Sequence, residues 1–312
     1  MTASRRTFIK GVGATALLPL LPASGWATTS DTRAGDFHRV LCCNVRVALP
    51  EDEAKGLGWS SRKEICLKII KQHKPDIICL QEVLKVQATD FRNYFSKYSL
   101  FGFDGPEMDA NPTGYHGIAK NPILFSNERY ELMTGGTYWL SETPLIAGSK
   151  SWDTARARHA NWVRLRERKT KKEFRVINLH LDHVSNEAKL QQAKMVAADS
   201  SQYLPGFPQI LTGDFNSRST SPVFDSIRTG GWSDTYAAIH GDADPGYTGH
   251  EFEGEHYEKG KTKGRIDFIF GKGPVRSVAS TIIKDSINGK YPSDHYFLSA
   301  DVELTGTIEE DK

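Results

Sequence analysis

The chain has 312 residues, of which 38% are hydrophobic and 25% charged, with 40 Lys and Arg against 38 Asp and Glu. Such a composition can bury a sizeable core and excludes a disordered chain or a small disulfide-stapled scaffold. The near balance of charge also gives no general basic field for gripping long duplex nucleic acid through many phosphates.

Residues 1–27 read as an export signal. Ser4-Arg5-Arg6-Thr7-Phe8-Ile9-Lys10 is followed by a weakly apolar run broken by Gly11 and Gly13, and then by Gly25-Trp26-Ala27. This pattern resembles a twin-arginine signal of bacterial export. The run from Val12 to Leu21 is too short to cross a hydrocarbon core of about 30 Å as a helix. Without Arg5, Arg6 and Lys10 the balance is 37 basic against 38 acidic side chains. The expectation is a protein exported across the inner membrane, periplasmic or secreted, with residues 28–312 as a single domain. No later stretch reaches the ~20 apolar residues that a span requires, so no stable membrane insertion is expected of the mature protein, and a monomer is expected.

The elements follow in chain order. Val40 to Val45 is an apolar run whose polar tip is Asn44, as in a buried strand. Ser61-Arg62-Lys63-Glu64 has a capping-box pattern, and Ile65, Ile69 and Ile70 continue it as an amphipathic helix to about Lys71. Lys74-Pro75-Asp76 ends that helix, and Ile77 to Leu80 is a second strand carrying Gln81 and Glu82 at its tip. Further strands are predicted at Ile123–Phe125, Asn161–Arg166, Phe174–Leu181, Gln209–Thr212, Ile266–Phe270 and Tyr296–Val302. Helices are predicted over Thr89–Tyr98 and Asn186–Leu204, and residues 240–264 read as a long loop near Asp267. The irregular alternation predicts an α/β fold of mixed sheets with helices outside them. The basic run from Arg156 to Lys172 reads as an exposed hairpin with solvated charges. Cys42, Cys43, Cys66 and Cys79 lie in apolar surroundings without zinc-type spacing, so burial is expected, although an oxidising compartment would permit a Cys66–Cys79 bridge.

Polar residues recur at the tips of these apolar runs: Asn44, Glu82, Asn178 with His180, and Asp214 with Asn216. Strand tips converge on one sheet edge. A hard divalent cation needs only one or two carboxylates and an amide while keeping several waters, and Glu82 with Asn44 offers that set. Asp214 and Asn216, two residues apart, point to one side of an extended segment, where one can orient water and the other hold an oxyanion. Asp294 and His295 pair a carboxylate with an imidazole that works at neutral pH, and Asp267 can orient that imidazole. Asp182 and His183 are placed as substrate-facing or structural, Asn121 and Arg158 are candidates at the rim of the cleft, and His116 is a further candidate with no assigned place.

The ordered segments Cys43-Asn44-Val45-Arg46, Leu80-Gln81-Glu82-Val83, Asn178-Leu179-His180-Leu181, Gly213-Asp214-Phe215-Asn216, Arg265-Ile266-Asp267-Phe268 and Ser293-Asp294-His295-Tyr296 resemble the endonuclease/exonuclease/phosphatase superfamily from Arg39 to Val302. That superfamily includes deoxyribonucleases, abasic-site endonucleases, inositol polyphosphate phosphatases, sphingomyelinases and deadenylases. The resemblance implies a four-layered α/β sandwich, two mixed sheets face to face with helices outside. It also implies Mg²⁺ or Mn²⁺ at Asn44, Glu82 and Asp294, with a catalytic set of His180, Asp214, Asn216, Asp267 and His295. Asn121, Arg158 and Asp182 would face a phosphorylated substrate. Tyr138 to Pro144, Trp152-Asp153 and His180 to Ser185 look like an exported bacterial subgroup. A small phosphorylated solute or glycan phosphodiester is preferred over nucleic acid on charge, and no apolar hairpin suggests a sphingomyelinase-like lipid enzyme. A non-catalytic binding protein of this fold is the rival from another class.

Overall fold

A computed structural model describes residues 37–102, 104–109, 118–241 and 245–306; the expected signal and His116 lie outside them. Twelve strands follow in chain order: β1 (His38–Asn44), β2 (Ile77–Gln81), β3 (Tyr98–Phe101), β4 (Ile123–Ser126), β5 (Tyr130–Trp139), β6 (His159–Glu167), β7 (Glu173–His180), β8 (Gln209–Asp214), β9 (Ser233–Asp234), β10 (Asp267–Lys272), β11 (Val275–Ile283) and β12 (Phe297–Leu304). They form two six-stranded sheets, ordered β11-β12-β1-β2-β4-β3 and β5-β6-β7-β8-β10-β9. The pairs β1–β2 and β7–β8 are parallel within otherwise antiparallel sheets.

The alternation of side chains along each strand builds four layers, because successive residues point to opposite faces. Val40, Cys42, Ile77 and Cys79 of the first sheet meet Val163, Leu165, Val176, Ile210 and Ile269 of the second, making the central core. Leu41, Cys43, Ile78 and Leu80 turn the other way, against Cys66, Ile69 and Ile70 of the helix Trp59–Gln72 and Phe91 of the helix Lys85–Tyr94. On the far side of the second sheet, Ile177, Leu179, Leu211 and Phe268 pack on Ala193 and Val196 of the helix Asn186–Ser200. The predicted sandwich of two mixed sheets between helices is therefore the architecture observed. No helix of the described residues is long and apolar enough to cross a membrane.

Several boundaries differ from the sequence reading. The first long helix starts at Trp59 with no side-chain cap, and Ser61 lies inside it. Glu53, on the short preceding helix Pro50–Ala54, instead accepts from the Ser60 N–H at 2.9 Å and from the Ser60 hydroxyl. The next helix is Lys85–Tyr94 rather than Thr89–Tyr98, because Gln87 Oε1 accepts from the Leu84 N–H at 3.0 Å and starts it earlier; Tyr98 opens β3. The third ends at Ser200, where the hydroxyls of Ser200 and Ser201 both take the Ala197 carbonyl and compete with the helix. Strand β5, which contains Gly135-Gly136, is not among the predicted strands. A Cβ on Gly135 would stand 2.7 Å from the Phe101 ring, so the glycine lets an aromatic approach the strand closely. All four cysteines are free and buried; Cys66 packs in the helix layer and Cys79 between the sheets, so the permitted bridge is not formed.

His159, in β6, is buried, and its ring nitrogens have no hydrogen-bond partner among the described residues. Its ring lies 5.1 Å from that of Trp139. Burial, then the charges of Arg158 and Lys120, push its pKa down from 6.5 to about 3. An unfolded chain takes up a proton as pH falls below about 6.5 while the folded one does not, so stability is full above that value and declines toward about 3. Urea unfolding from about pH 8 to about pH 4 is expected to show this decline, and His159→Phe to flatten it; an unchanged slope would contradict the assignment.

Candidate active site

The parallel pairs put the tips of β1, β2, β7 and β8 at one end of the sandwich, where the antiparallel β10 and β12 begin. Register then lines up the side chains: His180 pairs with Asp214, and Asp214 with Asp267, in one row across three strands. Gly213 is required beside them, since a Cβ there would stand 2.4 Å from the Leu179 carbonyl of β7. Glu82, Arg46 and Asn216, none of them glycine, adopt φ of +63°, +55° and +47°. Their chains turn sharply out of the strand direction, in the left-handed region that side chains avoid unless the surroundings enforce it.

Asn44 links the two sheets. Its Nδ2 donates to Glu82 Oε1 at 3.1 Å and to Asp214 Oδ2 at 3.0 Å. Glu82 Oε2 also accepts from the Val47 N–H at 3.0 Å. Behind this bridge, Gln81 Nε2 donates to Asn178 Oδ1 at 2.6 Å, and Asn178 Nδ2 donates to the Leu80 carbonyl at 2.7 Å. Asn178, noted in the sequence beside His180, thus fastens sheet to sheet beneath the site.

The remaining residues gather on the second sheet and before β12. His295 Nδ1 donates to Asp267 Oδ2 at 2.8 Å, and His295 Nε2 stands 4.0 Å from Asp214 Oδ2. His180 Nε2 lies 3.4 Å from Asp214 Oδ2 and accepts from Asn216 Nδ2 at 2.9 Å. Asn216 also donates its backbone N–H to Asp214 Oδ1 at 2.8 Å. Arg46 bonds Asp52 at 2.8 Å and Asp294 at 3.2 Å.

Burial and crowding move the charges. Burial, then Asp267, push the Asp214 carboxyl up to about 7. Burial raises Asp294 as well. Burial also opposes ionisation of Glu82, but the Val47 N–H, His295 and Asn44 outweigh it and hold its carboxyl below the usual range. For His295, burial opposes the cation, yet Asp267, through its charge and hydrogen bond, raises the imidazole well above its ordinary value. Burial and then Arg158 hold His180 neutral.

A cavity of about 600 Å³ opens over these groups, and Glu82, His180, Asp214, Asn216, Asp294, His295 and Arg158 all line it. Asn44 and Asp267 lie beneath it. Asn121 and Asp182 stand behind the wall. Asn121 Nδ2 donates to the His159 carbonyl at 3.1 Å. Asp182 accepts from the N–H groups of Ala155, Val184 and Ser185 at 3.0, 3.0 and 2.7 Å, so it pins the loop after Trp152-Asp153 to the end of β7. Of the basic run, Arg164 and Arg166 pair with Glu173, while Arg156 and Arg158 face the cavity rather than solvent alone.

The donors suit a hard cation, because carboxylate oxygens and imidazole nitrogens converge at one end of the cavity. Among the described residues, two groups bring three ligand atoms within 4.8 Å of one another: Glu82, His180 and Asp214, and Asp214, Asp267 and His295. The expected ligands Asn44, Glu82 and Asp294 are arranged differently. Asn44 bridges two carboxylates through its Nδ2, and Asp294 is joined to Arg46.

Sequence reasoning missed Arg62, His250 and Phe252. In the sequence Arg62 is only one residue of the Ser61-Arg62-Lys63-Glu64 capping-box pattern. It is buried, and its guanidinium donates to the carbonyls of Leu57, Val45, Pro292 and Arg46 at 2.6–2.9 Å, between the rings of Trp59 and Phe252. The long loop is knitted to the site: His250 N–H donates to the Asp294 carbonyl at 2.7 Å, Tyr296 N–H to that of Thr248 at 2.9 Å, and Thr248 Oγ1 accepts from Ile266 and Asp267. It includes short helical turns at Gly254–His256 and Gly260–Lys263.

Comparison with known proteins places this geometry in context. The model of the Endonuclease/Exonuclease/phosphatase family matches residues 41–295. Nocturnin of Drosophila melanogaster is 26% identical over 306 aligned positions, which cover 85% of this chain and 45% of that protein. Nocturnin of Homo sapiens is 24% identical, over 80% of this chain and 60% of that protein. The chain thus spans about half the length of these curated relatives. Among solved structures, a mannosyl-6-phosphatase of Bacteroides thetaiotaomicron superposes with a TM-score of 0.74 at 26% identity, covering 85% of this chain and 99% of that one.

The Arg62 clamp gives a direct test of how the site is held. Arg62→Ala strips four backbone carbonyls of their donor, those of Val45 and Pro292 buried, and is expected to cost about 3–5 kcal/mol in urea unfolding. A loss below about 1 kcal/mol would show that the clamp is dispensable.

Proposed function

The chain belongs to the Endonuclease/Exonuclease/phosphatase family, and on that premise we propose that it is an exported hydrolase of small phosphate esters that works with Mg²⁺ or Mn²⁺. One observation carries the reading: Glu82, Asp214, His180, Asn216 and His295 converge in one cavity, with Asp267 behind His295. Its volume of about 600 Å³ suits a small phosphorylated solute. Its wall mixes Arg46, Arg156, Arg158 and Lys263 with Asp52, Glu82, Glu251 and Asp294, unlike the uniformly basic groove of a nucleic-acid binder. The similarity to a mannosyl-6-phosphatase supports a sugar phosphate or phosphorylated glycan as substrate class.

Glu82 and Asp214 would hold the cation, with Asn44 setting their spacing. When bound, the cation supplies Lewis acidity that draws charge from the phosphoryl oxygens. Asp214 aligns the attacking water against phosphorus. The Asn216 amide, fixed by donating to His180 Nε2 and to the Leu181 carbonyl, 3.1 Å from its Nδ2, holds the His180 ring at the cavity wall where the phosphoryl group would lie. His295, kept protonated by Asp267, stabilises charge that develops on the ester and can pass its Nε2 proton to the leaving oxygen.

Hydrolysis of p-nitrophenyl phosphate and bis(p-nitrophenyl) phosphate with and without EDTA tests the class. Chelation is expected to lower the rate at least about 10²-fold, with recovery on adding Mg²⁺, and Glu82→Ala or His295→Ala to lower kcat by about 10²–10⁴-fold with unchanged circular dichroism. Activity that persists in EDTA, or in both variants, would contradict the reading. A panel of sugar phosphates, nucleic acids and lipids then assigns the substrate. For export, replacing Arg5 and Arg6 by Lys is expected to retain the protein in the cytoplasm of a bacterial host; unaltered export in cell fractionation would contradict a twin-arginine signal.

A further inference from the structure

Among the described residues, four arginines are more than nine-tenths buried: Arg62, Arg158, Arg175 and Arg265. A buried cation is costly unless oxygen acceptors surround it. Three have an oxygen acceptor at hydrogen-bond distance, although Arg175 Nε and Nη1 and Arg265 Nε are also without partners among the described residues. Arg62 has its four carbonyls, Arg175 Nη2 lies 2.6 Å from Asp199, and Arg265 is paired with Asp234. Arg158 does not. Its one hydrogen bond runs from Nη2 to His183 Nδ1 at 3.2 Å, and its Nε has no partner. The nearest carboxylate, Asp182, stands 4.0 Å from that Nε, with its oxygens already taken by three backbone N–H groups.

This under-compensated guanidinium lies where an anion would arrive. Arg158 precedes β6, and Ala160 of β6 pairs with Leu179 of β7, so the chain at Arg158 passes alongside the end of β7 that carries His180. The Leu140 N–H, which donates to the Arg158 carbonyl at 2.8 Å, fixes the backbone there. The side chain lines the same cavity as His180, Asp214, Asn216 and His295, with Arg156 and His183 beside it.

We propose that Arg158 is the socket for terminal oxygens of a phosphate monoester, through which the cavity selects doubly charged monoesters over diesters. This inference rests on the phosphoesterase reading above. A guanidinium presents parallel N–H donors that match two oxygens of one phosphoryl group. A monoester has three terminal oxygens, enough to meet the His295 imidazolium on one side and both arms of the Arg158 fork on the other. In a diester one of those oxygens bears a second carbon substituent, which cannot accept the fork and is pressed into the wall of Arg158 and His183. The arriving dianion supplies the acceptors that the buried guanidinium lacks, so binding relieves a cost already present in the free protein.

The test compares wild type with Arg158→Gln and Arg158→Lys on p-nitrophenyl phosphate and bis(p-nitrophenyl) phosphate, and titrates inorganic phosphate calorimetrically in the presence of Mg²⁺. Loss of a charged hydrogen-bond pair corresponds to about 10- to 100-fold in affinity. Arg158→Gln is therefore expected to lower the monoester-to-diester ratio of kcat/KM by that factor, mainly through KM for the monoester, and to weaken phosphate binding about equally. Its melting temperature should not fall, because the charge removed was poorly compensated. Arg158→Lys, which keeps the charge without the fork, should show a smaller loss in the same direction, and it decides the matter if Arg158→Gln fails to fold. An unchanged ester ratio, or phosphate affinity unchanged in both variants, would overturn the proposal. Wild type that hydrolyses neither ester would sink the phosphoesterase reading instead, while the phosphate titration still judges the socket.

Discussion

Four carboxylates, Glu82, Asp214, Asp267 and Asp294, meet at the end of one sandwich in surroundings too dry to screen them, and their mutual repulsion governs the arrangement around them. The Asn44 amide is inserted between two of them, the His295 imidazolium is held against a third, and Arg46 reaches the fourth. Carboxylates packed this way cost stability unless positive charge arrives. A divalent cation meets that need, and the same charge is what a phosphoryl group requires to be attacked by water.

The fold concentrates these groups at little cost to the core. Each strand spends its length on apolar contacts and releases a polar side chain only at its tip. Both parallel pairs, β1–β2 and β7–β8, end at the same edge, and register rather than loop flexibility sets the spacing of His180, Asp214 and Asp267. Left-handed turns at Arg46, Glu82 and Asn216 then aim the chain across the strand ends. Arg62 and Asn178 hold that edge together from below, the one by gathering loop carbonyls and the other by joining the sheets.

Much of this was legible in the sequence, for a physical reason. A buried strand that ends in Asn, Glu, His or Asp interrupts an apolar run with a group that is costly to bury; Asn44, Glu82, His180 and Asp214 were each weak signals alone and told only as an ordered set, while the element pattern gave mixed sheets with helices outside and the family resemblance their face-to-face packing. What did not show was anything decided by distant partners. Ser61 resembled a cap because Glu53, which binds Ser60 instead, acts through tertiary contact. Strand β5 was missed, since the rings of Phe101 and Trp162 that pack against Gly135 and Gly136 are remote in sequence. Arg62 reads only as part of a capping-box pattern, since periodicity carries no trace of the four carbonyls it serves. Asp182 and Asn121 shared the polarity of site residues, yet their partners are backbone groups behind the cavity wall. The opposite holds for Arg158, whose meaning lies in the partners it lacks.

The central claim is that the crowded carboxylates form a cation site. Titrating Mn²⁺ into the purified protein at neutral pH, followed by electron paramagnetic resonance of the free ion, addresses it without any substrate. Saturable binding that competes with Mg²⁺ and is lost in Glu82→Gln and Asp214→Asn is the predicted result. Binding that is absent from the wild type, or that survives both substitutions unchanged, would contradict it.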